Sequence, residues 1–231
     1  MKALLLAAGL GTRLRPLTLE IPKCLVPLNG RPLMDYWLEM LCTSPDIDGV
    51  LVNLHYMPEK VIQYLENSRY NADVTAVFEK KLLGTGGTLL KNREFFGTEP
   101  VLMIHGDNFS VFSMDDFLKA HERRPQYCDI TMMTFRTDTP ESCGIVELDE
   151  HSVVRAFHEK VKNPPDNLAN GAVYILENSV FDFLESLGLD RIDFSTQVLP
   201  EFMGKIFTFL NDQYHRDIGT MENYKKAMER L

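Results

Sequence analysis

Apolar positions in this chain fall into short continuous runs alternating with stretches of helical periodicity. Residues 2–7 form a Leu-rich run ended by glycine, the pattern of a parallel strand covered on both faces. A helix is predicted over 32–41, with proline in its first turn and Leu33, Trp37, Leu38 and Leu41 near one face. Strands are predicted at 49–53, 73–78 and 100–105, and a helix at 58–66 with Val61, Ile62 and Leu65 inward. Through the strand at 73–78 the order is βαβαβ, which implies a parallel sheet with helices on both faces. After a helix at 115–123 and a strand at 129–135 the alternation changes. Residues 143–148 and 153–157 flank the turn Asp149-Glu150-His151-Ser152 and read as a hairpin. A strand at 172–176, helices at 180–187 and 194–203, strands at 206–210 and 214–217, and a helix at 221–231 capped by Thr220 complete the pattern. The expected fold is α/β, a single Rossmann-like three-layer α/β/α domain over 1–231, with a mixed, mostly parallel central sheet and a small β-hairpin subregion.

Composition narrows the function. A chain of 231 residues, 45% hydrophobic and 25% charged, suits a soluble globular domain with a substantial core. Its formal net charge of -9 argues against a nucleic-acid partner, while its cations gather in particular loops, which suits a small anionic ligand. Cys24, Cys42, Cys128 and Cys143 form no CxxC pair, so neither a zinc site nor a disulfide framework is expected. The apolar start is too short for a signal peptide and no stretch reaches the length of a membrane span, so the cytoplasm is the expected location, with no membrane partner.

The first strand runs into Gly9 and Gly11, then Thr12, Arg13 and Arg15, and later Lys23. Two glycines at a strand end let backbone N–H groups converge on an anion. A P-loop is absent, because Gly11 is followed by Thr12 and Arg13 rather than Lys-Ser/Thr. A dinucleotide-binding turn is absent as well, because no third glycine follows near Leu14 and Pro16 and Pro22 interrupt the segment. What remains is a basic loop able to hold a triphosphate or pyrophosphate, or else a βα connection with solvated arginines.

The run Ala7-Ala8-Gly9-Leu10-Gly11-Thr12-Arg13-Leu14-Arg15-Pro16-Leu17-Thr18, followed by Pro22-Lys23 and Pro27, resembles the signature of the sugar-1-phosphate nucleotidyltransferases. That resemblance implies that Ala7, Ala8, Gly9, Gly11, Thr12 and Arg13 bind nucleotide phosphates. It also implies that Arg13 assists the leaving pyrophosphate and that Lys23 sits beside the phosphates. It divides the chain into a nucleotide-binding half, about 1–110, and a sugar-phosphate-binding half, about 111–231.

Further along, Leu83-Gly84-Thr85-Gly86-Gly87 offers three glycines in four residues, which would let a flat ligand lie against backbone; a flexible loop is the alternative. The resemblance makes Gly84, Thr85 and Gly87 nucleobase contacts, with Glu79 a neighbour. Asp107 lies just past a central strand, in the crevice where open α/β sheets bind ligands, and suits a Mg²⁺ ligand or a turn cap. The resemblance pairs it with Asp217 as the second metal aspartate. Phe157-His158-Glu159-Lys160 and Asn170-Gly171-Ala172-Val173-Tyr174 resemble the family's acceptor segments. Gly144, Glu159, Lys160, Asn170 and Asp217 are therefore expected to bind a sugar phosphate, with alanine at 172 in place of the family's glycine expected to narrow the pocket floor.

The activity implied is transfer of a nucleoside monophosphate from an NTP to a sugar 1-phosphate, with Mg²⁺ as cofactor and Arg13, Lys23, Asp107 and Lys160 as catalytic residues. The compact length and the ending Asp217-Ile218-Gly219-Thr220-Met221-Glu222-Asn223-Tyr224 resemble the mannose- or heptose-1-phosphate guanylyltransferases, and that resemblance implies GTP as donor and a mannose- or heptose-type acceptor. A UTP-, dTTP- or CTP-dependent relative and a non-catalytic nucleotide-sensing subunit are the alternatives. Pairing into a homodimer through exposed apolar patches is compatible with such a domain.

Overall fold

The computed structural model describes residues 1–230. In chain order the strands and helices are β1 (Lys2–Leu6), β2 (Pro27–Leu28), β3 (Arg31–Pro32), α1 (Leu33–Cys42), β4 (Val50–Leu54), α2 (Pro58–Glu66) and β5 (Val74–Phe78). There follow α3 (Gly84–Lys91), α4 (Arg93–Phe96), β6 (Val101–His105), β7 (Asn108–Val111), α5 (Met114–Glu122), β8 (Ile130–Arg136), β9 (Gly144–Leu148) and β10 (Val154–Glu159). The last are β11 (Leu168–Leu176), α6 (Asn178–Ser186), β12 (Ile206–Leu210), β13 (Tyr214–Asp217) and α7 (Met221–Arg230). The α/β class and the mixed, mostly parallel sheet expected from the alternation are present. Two compact units make up the chain, the first from residues 1–82, 104–111 and 215–231, the second from 83–103 and 112–214.

In the first unit β1, β4 and β5 are parallel, with Leu6 beside Asn53 and Asn53 beside Val77 in register. Every residue of β4 is buried, which explains its unbroken apolar run and makes Asn53 within it an exception. Helix α1 buries Leu33, Met34, Trp37, Leu38 and Leu41, the face read from its periodicity, and the Trp37 indole N–H donates to the Asn108 carbonyl at 2.8 Å. Strand β7, absent from the sequence reading, pairs with β13. Thr220 caps α7, its hydroxyl accepting from the Asn223 N–H at 3.2 Å; the predicted last residue of that helix, Leu231, lies outside the described residues.

In the second unit β9 and β10 form the predicted antiparallel hairpin, β11 pairs antiparallel with β8, and β12 pairs parallel with β8. Two expectations need correction here. Strand β11 begins at Leu168, four residues before the predicted start, so Asn170 and Gly171 lie inside it. The helix predicted over 194–203 is a π turn, Phe194–Val198, followed by a 3-10 turn, Leu199–Phe202; Pro200 has no N–H with which to continue an α-helix. Among the described residues no helix is long and apolar enough to cross a membrane.

Candidate active site

In the first unit β1 opens into a loop of short 3-10 turns at Thr12–Leu14, Leu17–Leu19 and Lys23–Leu25. Gly11 has φ +61°, and a Cβ on it would come 2.9 Å from Thr18 Cγ2 and 3.1 Å from Lys23 Cβ. Glycine therefore answers both a left-handed backbone and a close crossing of the loop on itself. The Thr18 hydroxyl donates to the Gly11 carbonyl at 2.7 Å, closing that crossing with Lys23 beside it. Gly9 has nothing within 4 Å of an added Cβ, so the backbone there is open.

The Lys23 side chain is only 6% exposed, and its ammonium donates to Asp107 Oδ2 at 2.7 Å and Asp217 Oδ1 at 3.2 Å. Burial works to lower the Lys23 pKa, but the charges of Asp107 and Asp217 and their hydrogen bonds outweigh it and leave the group raised. Burial likewise works to raise Asp107, and the opposite charge of Lys23, then that of His105, overcomes it and holds the carboxyl below the usual range. Lys23 is thus a cation and Asp107 an anion throughout the neutral range. Arg13 brings a second cation, Nη2 3.4 Å from Asp217 Oδ2, on a side chain 67% exposed.

The two aspartates stand 84 and 194 residues from Lys23, so backbone pairing has to bring them together. The Ile218 N–H donates to the Asp107 carbonyl at 3.2 Å, beside the ladder of β7 and β13. Two glycines not counted among the expected site residues make this approach possible. A Cβ on Gly106 would meet Leu5 Cδ1 and the Leu6 carbonyl at 3.0 Å, so glycine lets the end of β6 lie against the end of β1 just before Asp107. A Cβ on Gly219 would meet the Asp217 carboxylate at 2.6 Å and Arg13 Nη2 at 2.8 Å.

This donor set suits Mg²⁺, which binds through one or two carboxylates and completes its shell with water and substrate phosphates. Asp107 and Asp217 supply hard oxygen ligands that already converge on one cationic atom. Among the described residues no group of three or more His, Cys, Asp and Glu forms a protein-only cage.

Also in the first unit, Glu79 follows β5 and is 4% exposed. Its Oε1 accepts from the Asn53 amide at 3.0 Å, its N–H donates to the Leu54 carbonyl at 2.8 Å, and its carbonyl lies 2.7 Å from His55 Nδ1. The Asn53 side-chain oxygen in turn accepts from the Ala7 N–H at 2.8 Å.

In the second unit the glycines at 84–87 lie close against another part of the chain. Gly84 has φ +75°, and its Cβ would lie 2.4 Å from the Ile192 carbonyl oxygen. A Cβ on Gly86 would lie 2.8 Å from Ile192 Cγ2, and one on Gly87 2.8 Å from the Asp190 carbonyl oxygen. The Ile192 carbonyl accepts from the N–H groups of Gly86 and Gly87, and the Thr85 hydroxyl accepts from the Phe194 N–H at 2.8 Å. The space left by the missing side chains is filled by the chain's own segment 190–192, roughly a hundred residues on and invisible to local sequence reading.

In the hairpin, Gly144 pairs with Glu159, and a Cβ at 144 would lie 2.5 Å from the Phe157 ring and 2.7 Å from Glu159 Oε2. Gly144 thus makes room for the Glu159 carboxylate, whose Oε1 is 3.0 Å from Lys160 Nζ. Asn170 donates to the Tyr174 hydroxyl at 2.6 Å and accepts from the Ala172 N–H at 2.9 Å. Burial raises the Tyr174 pKa, and the Glu159 charge raises it further. Ala172 has φ +53°, a left-handed backbone that the family's glycine would adopt without strain.

The family model for nucleotidyl transferases matches residues 2–231. The chain is 32% identical to the D-glycero-alpha-D-manno-heptose 1-phosphate guanylyltransferase of Aneurinibacillus thermoaerophilus, over all of this chain and 98% of that protein. It is 30% identical to the mannose-1-phosphate guanylyltransferase of Mycobacterium tuberculosis, over 97% of this chain and 63% of that protein. Relatives named for thymidylyl and uridylyl transfer match at 33% and 29% identity. The chain spans 54–63% of the length of the mannose-1-phosphate enzymes it matches. The solved structure of HddC from Yersinia pseudotuberculosis complexed with GMP-PN superposes with a TM-score of 0.80 at 26% identity, covering 99% of this chain and 98% of that one. With the family model spanning nearly every residue, the chain belongs to the nucleotidyl transferase family.

Proposed function

We propose that this protein transfers a nucleoside monophosphate from an NTP to a sugar 1-phosphate, releasing pyrophosphate, with GTP as donor and a mannose- or heptose-type acceptor. The observation that carries the reading is the convergence of Asp107 and Asp217 on the buried ammonium of Lys23, at the mouth of a glycine-opened basic loop. An oxygen of the sugar 1-phosphate attacks the α-phosphorus, the bond to the β-phosphate oxygen breaks, and pyrophosphate departs with that electron pair. A phosphate oxygen is already ionised near neutral pH, so no general base is needed, and catalysis is positioning and charge stabilisation. Lys23 and Arg13 offset charge on the transferring and leaving phosphates, and Lys160 pairs with the acceptor phosphate. Gly144, Glu159 and Asn170 serve the sugar. Mg²⁺, bound through Asp107 and Asp217, would supply further neutralisation of phosphate charge.

Glu79 supports guanine. A carboxylate offers only acceptors, which match the N1–H and N2–H₂ donors on guanine's Watson–Crick edge. Uracil and thymine present one N–H between two carbonyls, which such a carboxylate repels. The test is pyrophosphate release with Mg²⁺ across GTP, UTP, dTTP, CTP and ATP, each against mannose, heptose, glucose and N-acetylhexosamine 1-phosphates. Turnover greatest with GTP and a mannose-type acceptor is expected. Preference for dTTP or UTP overturns the guanine assignment, and release with no pair overturns the transferase reading.

A further inference from the structure

We infer that Asn53 is a positioning residue that couples base recognition to the phosphate loop, an inference that rests on the nucleotide-binding reading above. Asn53 is 3% exposed and sits on the central of three parallel strands, next to Leu6 of β1 on one side and Val77 of β5 on the other. Its side chain spans the ends of both neighbours. The amide oxygen accepts from the Ala7 N–H at 2.8 Å, where the phosphate loop begins, and the amide nitrogen donates to Glu79 Oε1 at 3.0 Å, just beyond β5.

The chemistry of the partners fixes the orientation of this amide. A backbone N–H only donates and an ionised carboxylate only accepts, so the group between them must accept at one end and donate at the other. Asparagine does both within the length available. Aspartate would keep the Ala7 bond and set one carboxylate against another, and an apolar residue of similar size would take one hydrogen bond away from each partner. A polar residue in the middle of an otherwise apolar buried strand is costly unless satisfied, and here satisfaction joins two elements with different tasks. The Ala7 end orients the first N–H groups of the loop. The Glu79 end fixes a carboxylate whose backbone is already held by Leu54 and His55. Displacing either end therefore displaces the other, and Asn53 itself need touch no nucleotide.

The test is calorimetric titration of the full chain with GTP, UTP and inorganic tripolyphosphate in the presence of Mg²⁺, for wild type, Asn53→Ala, Glu79→Ala, the double variant and Asn53→Asp. Asn53→Ala and Glu79→Ala are each expected to weaken GTP about tenfold and to reduce the GTP-over-UTP preference. The double variant is expected to fall no more than about twofold below the weaker single variant, because both changes break one connection. Asn53→Asp preserves side-chain volume and the Ala7 acceptor, so it should lose base preference while keeping tripolyphosphate affinity. Thermal melts run beside each titration. A lower melting temperature with unchanged base preference means a merely structural role and overturns the inference, as do losses that multiply in the double variant. If wild type binds UTP more tightly than GTP, the guanine reading falls and the same cycle is read on UTP. If it binds neither, both readings fall.

Discussion

Replacing Gly84 by alanine tests whether segment 190–192 is what requires the glycines of residues 84–87. Gly84 combines φ +75° with a virtual Cβ 2.4 Å from the Ile192 carbonyl oxygen and 2.9 Å from its carbon. Gly188 is the control, since it has φ +60° with nothing within 4 Å. A left-handed alanine costs about 1–2 kcal/mol, partly offset by about 0.4–1 kcal/mol from the stiffer unfolded chain. Gly188→Ala should therefore destabilise by roughly 0.5–1 kcal/mol. At Gly84 the obstruction is backbone and cannot rotate away, and the carbonyl that would have to move already accepts from Gly86 and Gly87. Overpacking of this kind adds about 1–3 kcal/mol, so Gly84→Ala should lose roughly 2–4 kcal/mol in all. Urea unfolding followed by far-ultraviolet circular dichroism measures both, with equal slopes required for the comparison. Agreement of the two variants within about 0.5 kcal/mol would refute the close-approach argument.

The remaining predictions concern charge and backbone. Lys23→Met should lower kcat at least about a hundredfold, the order expected for losing a preorganised charge at a transition state. Turnover within about threefold of wild type would sink the assignment of Lys23. His121 is pushed down to about 4 by burial and then by the Arg124 guanidinium, and the nearby Glu177 carboxylate is already engaged by Arg124. The unfolded chain takes up a proton near pH 6.5 that the folded chain refuses until about 4, so stability is full above 6.5 and falls as pH drops through that window. The contribution is roughly 3 kcal/mol, and urea midpoints of His121→Gln should fall less steeply between pH 7 and 4; parallel curves would contradict it. Ala172→Gly should stabilise by about 0.5 kcal/mol, strain relief less the entropy of glycine, and a loss above about 1 kcal/mol in the same titration would be against it.

What the sequence makes legible is local. The periodicity of α1 and the apolar runs of β1 and β4 name their own elements, because a helix face and a covered strand each require a pattern within a few residues. Lys23, Asp107 and Asp217 are recognisable as chemistry-bearing residues, yet nothing local states that they meet. Their convergence depends on Gly106 and Gly219 being bare and on the pairing of β7 with β13, relations between residues far apart in the chain.

The glycines of residues 84–87 show the same limit. A cluster such as Gly84-Thr85-Gly86-Gly87 says only that something comes close, and a ligand and the chain's own residues 190–192 demand the same missing Cβ. Asn53 carries the opposite lesson. A single polar residue inside the run Val50–Leu54 looks like a defect in a strand pattern, and its partners, the half-buried Ala7 N–H and the buried Glu79 carboxylate, give it a reason. Because burying an unpaired amide costs more than burying leucine gains, a polar interruption of a covered strand is itself a signal that two distant groups require joining. The residue that fits the hydrophobic pattern least is the one that ties the loop after β1 to the carboxylate beyond β5.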